Sequence, residues 1–197
     1  IAMISVHGCP LRQIGYGSAG GMNVFILESS KFLSSTGVDI DIFTRCHDHG
    51  DPPVVDLVER CKVIHLEAGP LDLSKDKIYE SLPEFSKKVV AYASEKNKNY
   101  DLIVSHYWLS GLVGSYLKEE WNINHITTFH TLSLLKSKGL PKLNVPIIRK
   151  NGEKKVIEKS DEILVWSEHE KQSLLEYYGA TSKNIRIIKP GVDVELF

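Results

Sequence analysis

The sequence has few cysteines, and their arrangement excludes two kinds of protein. Its 197 residues include only Cys9, Cys46 and Cys61. An odd number of cysteines with wide spacing and no CxxC pair predicts neither a disulfide framework nor a zinc site. A reducing, cytoplasmic setting is the simplest interpretation of such a pattern.

Long apolar runs and an excess of one charge are also missing. No stretch approaches the roughly 18 consecutive apolar residues that indicate a membrane span, so we expect no transmembrane segment, and no signal peptide is recognised. The formal net charge is −1, which provides no general attraction to nucleic acid. Nothing in the pattern specifies an oligomeric state.

The positive signal is a regular alternation of apolar, β-branched runs with helical patterns. Strands are predicted at 1–8, 38–45, 61–69, 101–107, 125–131, 161–167 and 184–191, and helices at 21–35, about 79–97, 109–120, about 148–160 and 168–178. This order indicates βαβ units. With right-handed crossovers, it predicts an α/β fold with a doubly wound, mainly parallel, seven-stranded Rossmann-like sheet. Long loops are expected at 46–60, 70–78 and 132–147.

A glycine-rich stretch, GYGSAGGMNVF at 15–25, links the first strand to the first helix. In a doubly wound sheet, ligands bind beyond the carboxyl ends of the strands, and a helix start favours an anion. Gly20 and Gly21 are therefore candidates for a phosphate contact, and a tight turn with packing glycines is the alternative. Gly15, Gly17 and Gly20 have the G-x-G-x-x-G spacing of the nicotinamide-cofactor fingerprint, but the first two lie far from the end of the first strand and no acidic residue ends the second strand, so a nicotinamide cofactor is not expected.

Polar residues collect at the predicted carboxyl ends of the strands. They are His7, Arg45, His106, Tyr107, His130, Thr131, Ser167 and Glu168. Each could be structural, but together they predict that at least two contact a ligand. His47 and His49 lie in a polar loop without other clear ligands, so we expect no metal site.

Familiar catalytic motifs are absent from the sequence: it contains no G-x-S-x-G, no G-x-x-x-x-G-K-[ST] and no H-E-x-x-H. Basic residues do occur in or beside the long loops, namely Lys75, Lys77, Arg149 and Lys150. Each is either a solvated charge or a contact for a phosphate.

Several segments, in order along nearly the whole chain, resemble the N-terminal domain of retaining glycosyltransferases of family 4. They are HGCPLRQIGYGSAGGMNVFILE, FTRCHDHGDPPVV, SHYWLSGLVG, TTFHTLSLLK and PGVDVELF. Within that family the segments resemble those of the sucrose-phosphate synthases and of the inositol-phosphate N-acetylglucosaminyltransferases of mycothiol synthesis. The resemblance implies a GT-B fold in which 1–197 is the N-terminal, acceptor-side domain. A C-terminal nucleotide-sugar-binding domain is then expected outside this chain.

The resemblance also implies roles for individual residues. His130, in TFHT, matches the catalytic histidine that contacts the transferred sugar, and Gly20 and Gly21 match the glycines that approach the donor pyrophosphate. The residues implied to bind the acceptor, with its phosphate where it has one, are His7, Ser18, Met22, Asn23, Lys75, Tyr107, Thr131 and Arg149. At the position of Ser18, most relatives carry aspartate.

The implied reaction transfers a hexose, with retention, from a nucleotide sugar to a small acceptor that can carry a phosphate. A UDP-sugar is the expected donor, and it acts as a substrate, so no cofactor is expected. The chain alone is expected to be inactive because half of the cleft lies elsewhere. Two alternatives stay open: a lipid or polysaccharide transferase of the same architecture, and a non-enzymatic sugar-phosphate-binding module. Helix 109–120 is not basic, which argues against a lipid acceptor.

Overall fold

The computed structural model of the protein describes residues 1–12, 15, 20–74, 77–139 and 145–191. The strands are β1 (Ala2–Ile4), β2 (Ile40–Arg45), β3 (Val54–Val58), β4 (Cys61–Leu66), β5 (Leu102–His106), β6 (Asn124–Thr128), β7 (Glu162–Val165) and β8 (Ile185–Ile187). The helices are α1 (Gly21–Ser35), α2 (Leu82–Glu95), α3 (Tyr107–Trp121), α4 (Ser133–Gly139), α5 (Ile147–Lys159) and α6 (Glu168–Tyr178). Two short 3-10 turns cover Ile78–Ser81 and Ser182–Asn184.

The strands form one sheet in the order β3-β4-β2-β1-β5-β6-β7-β8. All neighbouring pairs are parallel except β3 with β4, which confirms the predicted mainly parallel α/β fold. The strand order reverses between β1 and β5. That reversal places a crevice at the carboxyl ends of these two central strands, where ligands bind in folds of this type.

The sheet has one strand more than the seven predicted. The additional strand, β3, lies within the predicted loop 46–60 and pairs with β4 through a tight hairpin in which Arg60 has φ +65°. Its side chains alternate between exposed and half-buried because it is an edge strand. The short helix α4 likewise lies within the predicted loop 132–147. In both cases the local apolar pattern is too short to stand out.

Helices cover both faces of the sheet. Ile26 of α1 packs with Met3, Ile42 and Val63 on one face, and α2, α3 and α5 bury Phe85, Leu109 and Val156 with the other residues of the larger cluster. Helices α3 and α5 approach each other closely at Gly111, which has no side chain. A Cβ at this position would lie only 2.5 Å from Val156. Among the helices that the structure describes, none is long and apolar enough to cross a membrane.

Candidate functional site

The carboxyl edge of the sheet brings together residues that lie far apart in the sequence. The rings of His7, after β1, and Tyr107, after β5, have centroids 4.6 Å apart. The guanidinium carbon of Arg149 lies 5.0 Å from the centroid of the Tyr107 ring. Arg149 Nη2 also donates to the carbonyl and hydroxyl oxygens of Thr131, at 2.9 and 3.2 Å. We call His7, Tyr107, Thr131 and Arg149 the edge cluster.

A buried carboxylate holds Arg149 in this position. Glu153 is fully buried, and its Oε1 accepts from Arg149 Nε at 2.8 Å. The same carboxylate accepts from the backbone N–H and hydroxyl of Ser133 and from the hydroxyl of Tyr178. Burial raises the pKa of Tyr178, so its phenol remains a donor. Both oxygens of Glu153 are hydrogen-bonded, so the buried carboxylate is not an isolated charge. Its hydrogen bond with Arg149 fixes the orientation of the guanidinium.

Glu153 is absent from the residues predicted by sequence. Its signal was present, because Arg149 and Glu153 are four residues apart in the predicted helix 148–160, a spacing that places them on one face. That spacing indicates a pair, but only the fold shows that the pair is buried against Ser133 and Tyr178.

Two residues of the edge have backbone conformations that are rare outside glycine. Tyr107, directly after β5, has φ +76°, and His130, two residues after β6, has φ +59°. Such conformations cost on the order of 1–3 kcal/mol each when the surrounding structure imposes them, and they cluster at functional sites. Since β5 and β6 are neighbours, the two strained residues lie beside one another at the same edge.

His106 fixes the ring of His130. His106 Nδ1 lies 3.0 Å from His130 Nε2, and His106 is buried at 2% exposure. Burial, with a smaller contribution from His130, lowers the pKa of His106 well below its ordinary value, and burial lowers the pKa of His130 to about 4. Both rings are therefore neutral at pH 7. Each neutral ring carries one N–H, and only one of the two facing nitrogens can donate in this contact, so the tautomers of the two rings are coupled.

An aromatic wall stands beside His130. The Phe25 ring from α1 lies 5.6 Å from the His130 ring and 4.7 Å from the Trp166 ring, which follows β7. Neither Phe25 nor Trp166 was predicted, because nothing in their sequence spacing separates them from ordinary core aromatics. The wall limits access of water to one side of His130.

The two predicted phosphate-binding glycines stand at the start of α1. Gly20 is the N-cap and Gly21 the first residue of the helix. A Cβ built at either glycine meets no atom within 4 Å, and Gly20 has φ −162°, which any residue can adopt. Packing among the described residues therefore requires neither glycine. What glycine preserves at these positions is an open approach to the backbone at the helix start, where the Gly20 N–H is already donated to Asn23 and the N–H groups that follow it point toward an incoming anion.

The neighbouring side chains hold this helix start in place. Asn23 is buried; its Oδ1 accepts from the Gly20 N–H at 3.1 Å, and its Nδ2 donates to the Cys9 carbonyl at 2.7 Å. Met22 packs where a Cβ on Gly8 would lie, 2.2 Å from Met22 Cε. In the structure, the side chains of Asn23 and Met22 both hold the start of α1 in place. Their contacts with the acceptor stay predictions.

The remaining predicted residues are placed as follows. Ser18 and Lys75 lie outside the described residues. Arg45 donates to the carbonyls of Ala68, Pro70 and Leu71 and so secures that loop. Ser167 caps α6 by accepting from the Glu170 N–H. In the described part of the chain, no group of three or more His, Cys, Asp or Glu side chains is arranged to hold a metal ion.

Comparison with known proteins shows the family of the chain and supports its fold. The sequence profile of Glycosyltransferase Family 4 matches residues 19–196. The D-inositol 3-phosphate glycosyltransferase of Corynebacterium aurimucosum is 39% identical over 200 residues, covering 100% of this chain and 48% of that protein. The protein of the same name from Thermomonospora curvata is 40% identical over 201 residues, covering 100% of this chain and 47% of the relative.

The chain also superposes on a solved structure of sucrose-phosphate synthase from Thermosynechococcus elongatus, with a TM-score of 0.92 and 34% identity. The superposition covers 100% of this chain and 49% of the synthase chain. This match confirms the predicted resemblance to the N-terminal domain of a GT-B protein. The chain spans about half the length of the curated relatives that it matches. On the family profile and on these relatives together, the chain belongs to Glycosyltransferase Family 4.

Proposed function

We propose that the whole protein is a retaining glycosyltransferase that moves a sugar from a UDP-sugar to a small acceptor carrying a phosphate. The observation that carries this proposal is the edge cluster, in which a buried carboxylate presents the Arg149 guanidinium at the carboxyl edge of the sheet. The relatives described above, D-inositol 3-phosphate glycosyltransferase and sucrose-phosphate synthase, support a phosphorylated substrate or product.

On the acceptor side, Arg149 binds the phosphate. Its Nε is occupied by Glu153 and one Nη2 hydrogen by Thr131, which fixes the plane of the fork, and a planar fork suits a phosphate. Thr131 is exposed beside it. Lys75, which the family resemblance also assigns to the acceptor, adds a second positive charge in this proposal.

On the donor side, the start of α1 receives the pyrophosphate. The helix is 15 residues long, and its first N–H groups and positive dipole end favour an anion. The open space at Gly20 and Gly21 lets that anion reach the backbone. The nucleotide is held by a second domain in this proposal, so the 197-residue chain alone transfers no sugar.

The reaction forms a bond between an acceptor oxygen and the anomeric carbon, on the face from which the diphosphate leaves. The bond between that carbon and the phosphate oxygen breaks, and the acceptor proton passes to the departing phosphate. No carboxylate nucleophile is needed. The protein orients the reactants and stabilises the negative charge that develops on the leaving group. His130, neutral at pH 7, acts as a hydrogen-bonding partner of the sugar and not as an acid.

The test is transfer by the whole protein across a panel of UDP-sugars, with D-inositol 3-phosphate and myo-inositol as matched acceptors. We expect release of UDP and a glycosylated product, identified by mass, with the phosphorylated acceptor strongly preferred. Equal use of both acceptors would contradict the proposal that the protein recognises a phosphate on the acceptor. Transfer only to a lipid or polysaccharide would support the second kind of transferase. Binding of sugar phosphates without transfer from any nucleotide sugar would support a non-enzymatic module.

A further inference from the structure

The start of α1 is tied to the segment after β1 through a buried cysteine. Cys9 is only 2% exposed. Its carbonyl accepts from Asn23 Nδ2 at 2.7 Å, and Asn23 Oδ1 accepts from the Gly20 N–H at 3.1 Å. The position of the first residues of α1 therefore depends on where the backbone of Cys9 lies.

The side chain of Cys9 is held in turn by a buried histidine. Cys9 Sγ lies 3.2 Å from Nε2 of His65, a residue of β4 that is 6% exposed. His65 Nδ1 lies 2.7 Å from the carbonyl oxygen of Pro52. A carbonyl only accepts, so Nδ1 carries a proton, and in the neutral ring Nε2 is a lone pair. Burial raises the pKa of Cys9 to about 11, so the thiol is protonated and donates to that lone pair.

These contacts form one chain of hydrogen bonds between distant segments. It runs from the Pro52 carbonyl through His65, through the side chain and carbonyl of Cys9, and through Asn23 to the Gly20 N–H. The three side chains in it are at most 6% exposed. Since a buried polar network is rigid when each member is paired, this one fixes the segments that it joins.

The last member of the chain belongs to the donor side of the site. Gly20 is the N-cap of α1, and the first N–H groups of a helix have no partner within the helix. Asn23 takes the N–H of Gly20, and in the proposed function the groups that follow meet the pyrophosphate. A displacement of about 1 Å at a positioned group can lower a rate about 10²-fold. Support of this helix start therefore bears on turnover.

We propose that Cys9 and His65 are positioning residues for the donor side, because their hydrogen bond holds the start of α1 where its N–H groups meet the pyrophosphate. This inference rests on the proposed function, since it takes the pyrophosphate to lie at this helix start. It adds two residues that touch neither substrate. The family resemblance assigned no role to either of them.

The test removes the same atom from two buried cysteines. Cys9→Ala removes the thiol that donates to His65. Cys61→Ala is the matched control, because Cys61 is 1% exposed on β4 and its thiol has no hydrogen-bond partner among the described residues. We expect both variants to melt slightly earlier. In Cys9→Ala, kcat of the whole protein with a UDP-sugar and D-inositol 3-phosphate should fall about tenfold, and in Cys61→Ala it should stay unchanged.

A second measurement follows the helix start without any turnover. Hydrogen exchange of the Gly20 backbone amide, measured by NMR on the whole protein, reports the bond from Gly20 to Asn23. We expect this exchange to be about fivefold faster in Cys9→Ala, the scale of one weakened hydrogen bond, and unchanged in Cys61→Ala. Cys9→Ser keeps a donor for His65, so it should recover both kcat and the slow exchange.

His65→Phe removes the partner of the thiol and keeps a ring of similar shape. It should reproduce the lower kcat of Cys9→Ala. The double variant Cys9→Ala, His65→Phe should be no slower than the slower single variant, because both changes remove the same hydrogen bond.

Three results would overturn this assignment. The first is an unchanged kcat with unchanged Gly20 exchange in Cys9→Ala. The second is an equal loss of kcat in Cys9→Ala and Cys61→Ala, which would reduce the effect to packing. The third is an additive loss in the double variant, which would mean that Cys9 and His65 act separately. Because the exchange measurement needs no substrate, the expected exchange pattern in a protein that transfers no sugar would count against the proposed function alone.

Discussion

Two histidines of the same chain segment show how the middle of the sheet differs from its edge. His125 lies within β6, fully buried, with Nε2 2.7 Å from Ser105 Oγ and its backbone N–H donating to Asp161. His130 follows the same strand with φ +59° and pairs with His106. Burial lowers the pKa of both to about 4. An equal pKa shift therefore does not identify the functional histidine.

Their surroundings do distinguish them. His125 is enclosed by the fold: a Cβ on Gly114 would lie 2.3 Å from its Nε2, and Ser105 continues the polar chain to Thr127. His130 is only half-buried and combines a strained backbone with a position at the open edge. Strain and incomplete enclosure at a ligand-binding edge are what a positioned functional group requires.

The largest effect is expected from Gly21→Asp at the edge. The change places a side chain and a negative charge where the pyrophosphate approaches the helix start. We expect kcat of the whole protein to fall by about 10² or more, the scale of losing a positioned contact to developing charge. The melting temperature should hardly change, because a Cβ at Gly21 meets no atom of the described residues within 4 Å. Gly21→Ala is the control for the side chain without the charge. Full activity of the Gly21→Asp protein would contradict the binding of the donor pyrophosphate at the start of α1.

The comparison itself is tested by removing each histidine in turn. His130→Ala should lower kcat by about 10² with a small change in melting temperature. His125→Ala should do the reverse, because it leaves a cavity and an unpaired Ser105 inside the sheet. The measurements are kcat corrected for folded protein and a thermal melt. If His130→Ala melts much earlier yet turns over normally while folded, its assignment as catalytic is wrong.

Arg149→Ala is expected to act on binding and not on the chemical step. The acceptor phosphate does not change during the reaction, so its loss of contact raises KM and leaves kcat nearly unchanged. We expect KM for the phosphorylated acceptor to rise about tenfold or more, as for a charged hydrogen bond. The double variant Arg149→Met, Glu153→Gln removes the unpaired buried carboxylate and so separates binding from stability. An unchanged KM in both variants would move the phosphate site elsewhere.

A further effect, on folding and not on catalysis, is a change of stability with pH. The ordinary pKa of histidine is 6.5, and the folded values of His125 and His130 are about 4. The unfolded chain therefore binds protons first as the pH falls. The stabilisation is fully present above pH 6.5 and is lost between pH 6.5 and about 4; for His125 the loss is about 2 kcal/mol at pH 5. Urea unfolding at pH 7.5 and 5 measures it. His125→Gln should weaken this dependence of the free energy of unfolding on pH. An unaltered dependence would contradict a lowered pKa for His125.

Much of the edge was predictable because its signals are local. The runs that become β1, β5 and β6 predict parallel strands, and polar residues directly after them must then share one edge. The family resemblance, and not these local signals, assigned His7, Tyr107, Thr131 and Arg149 to the acceptor, and the structure brings them into contact. His106 was noted at a strand end, but its pairing with His130 was not predicted, since it depends on the register between β5 and β6.

The sequence by itself determined the alternation of strands and helices, the parallel sheet and the identity of the residues at its carboxyl edge. These properties follow from apolar periodicity and from the residue types that end each strand. Only the tertiary structure decided that Glu153 lies buried behind Arg149, that Phe25 and Trp166 flank His130, and that His65 pairs with Cys9. The reason is physical: burial and hydrogen bonding depend on side chains that meet from distant parts of the chain, and no local pattern encodes which of them meet.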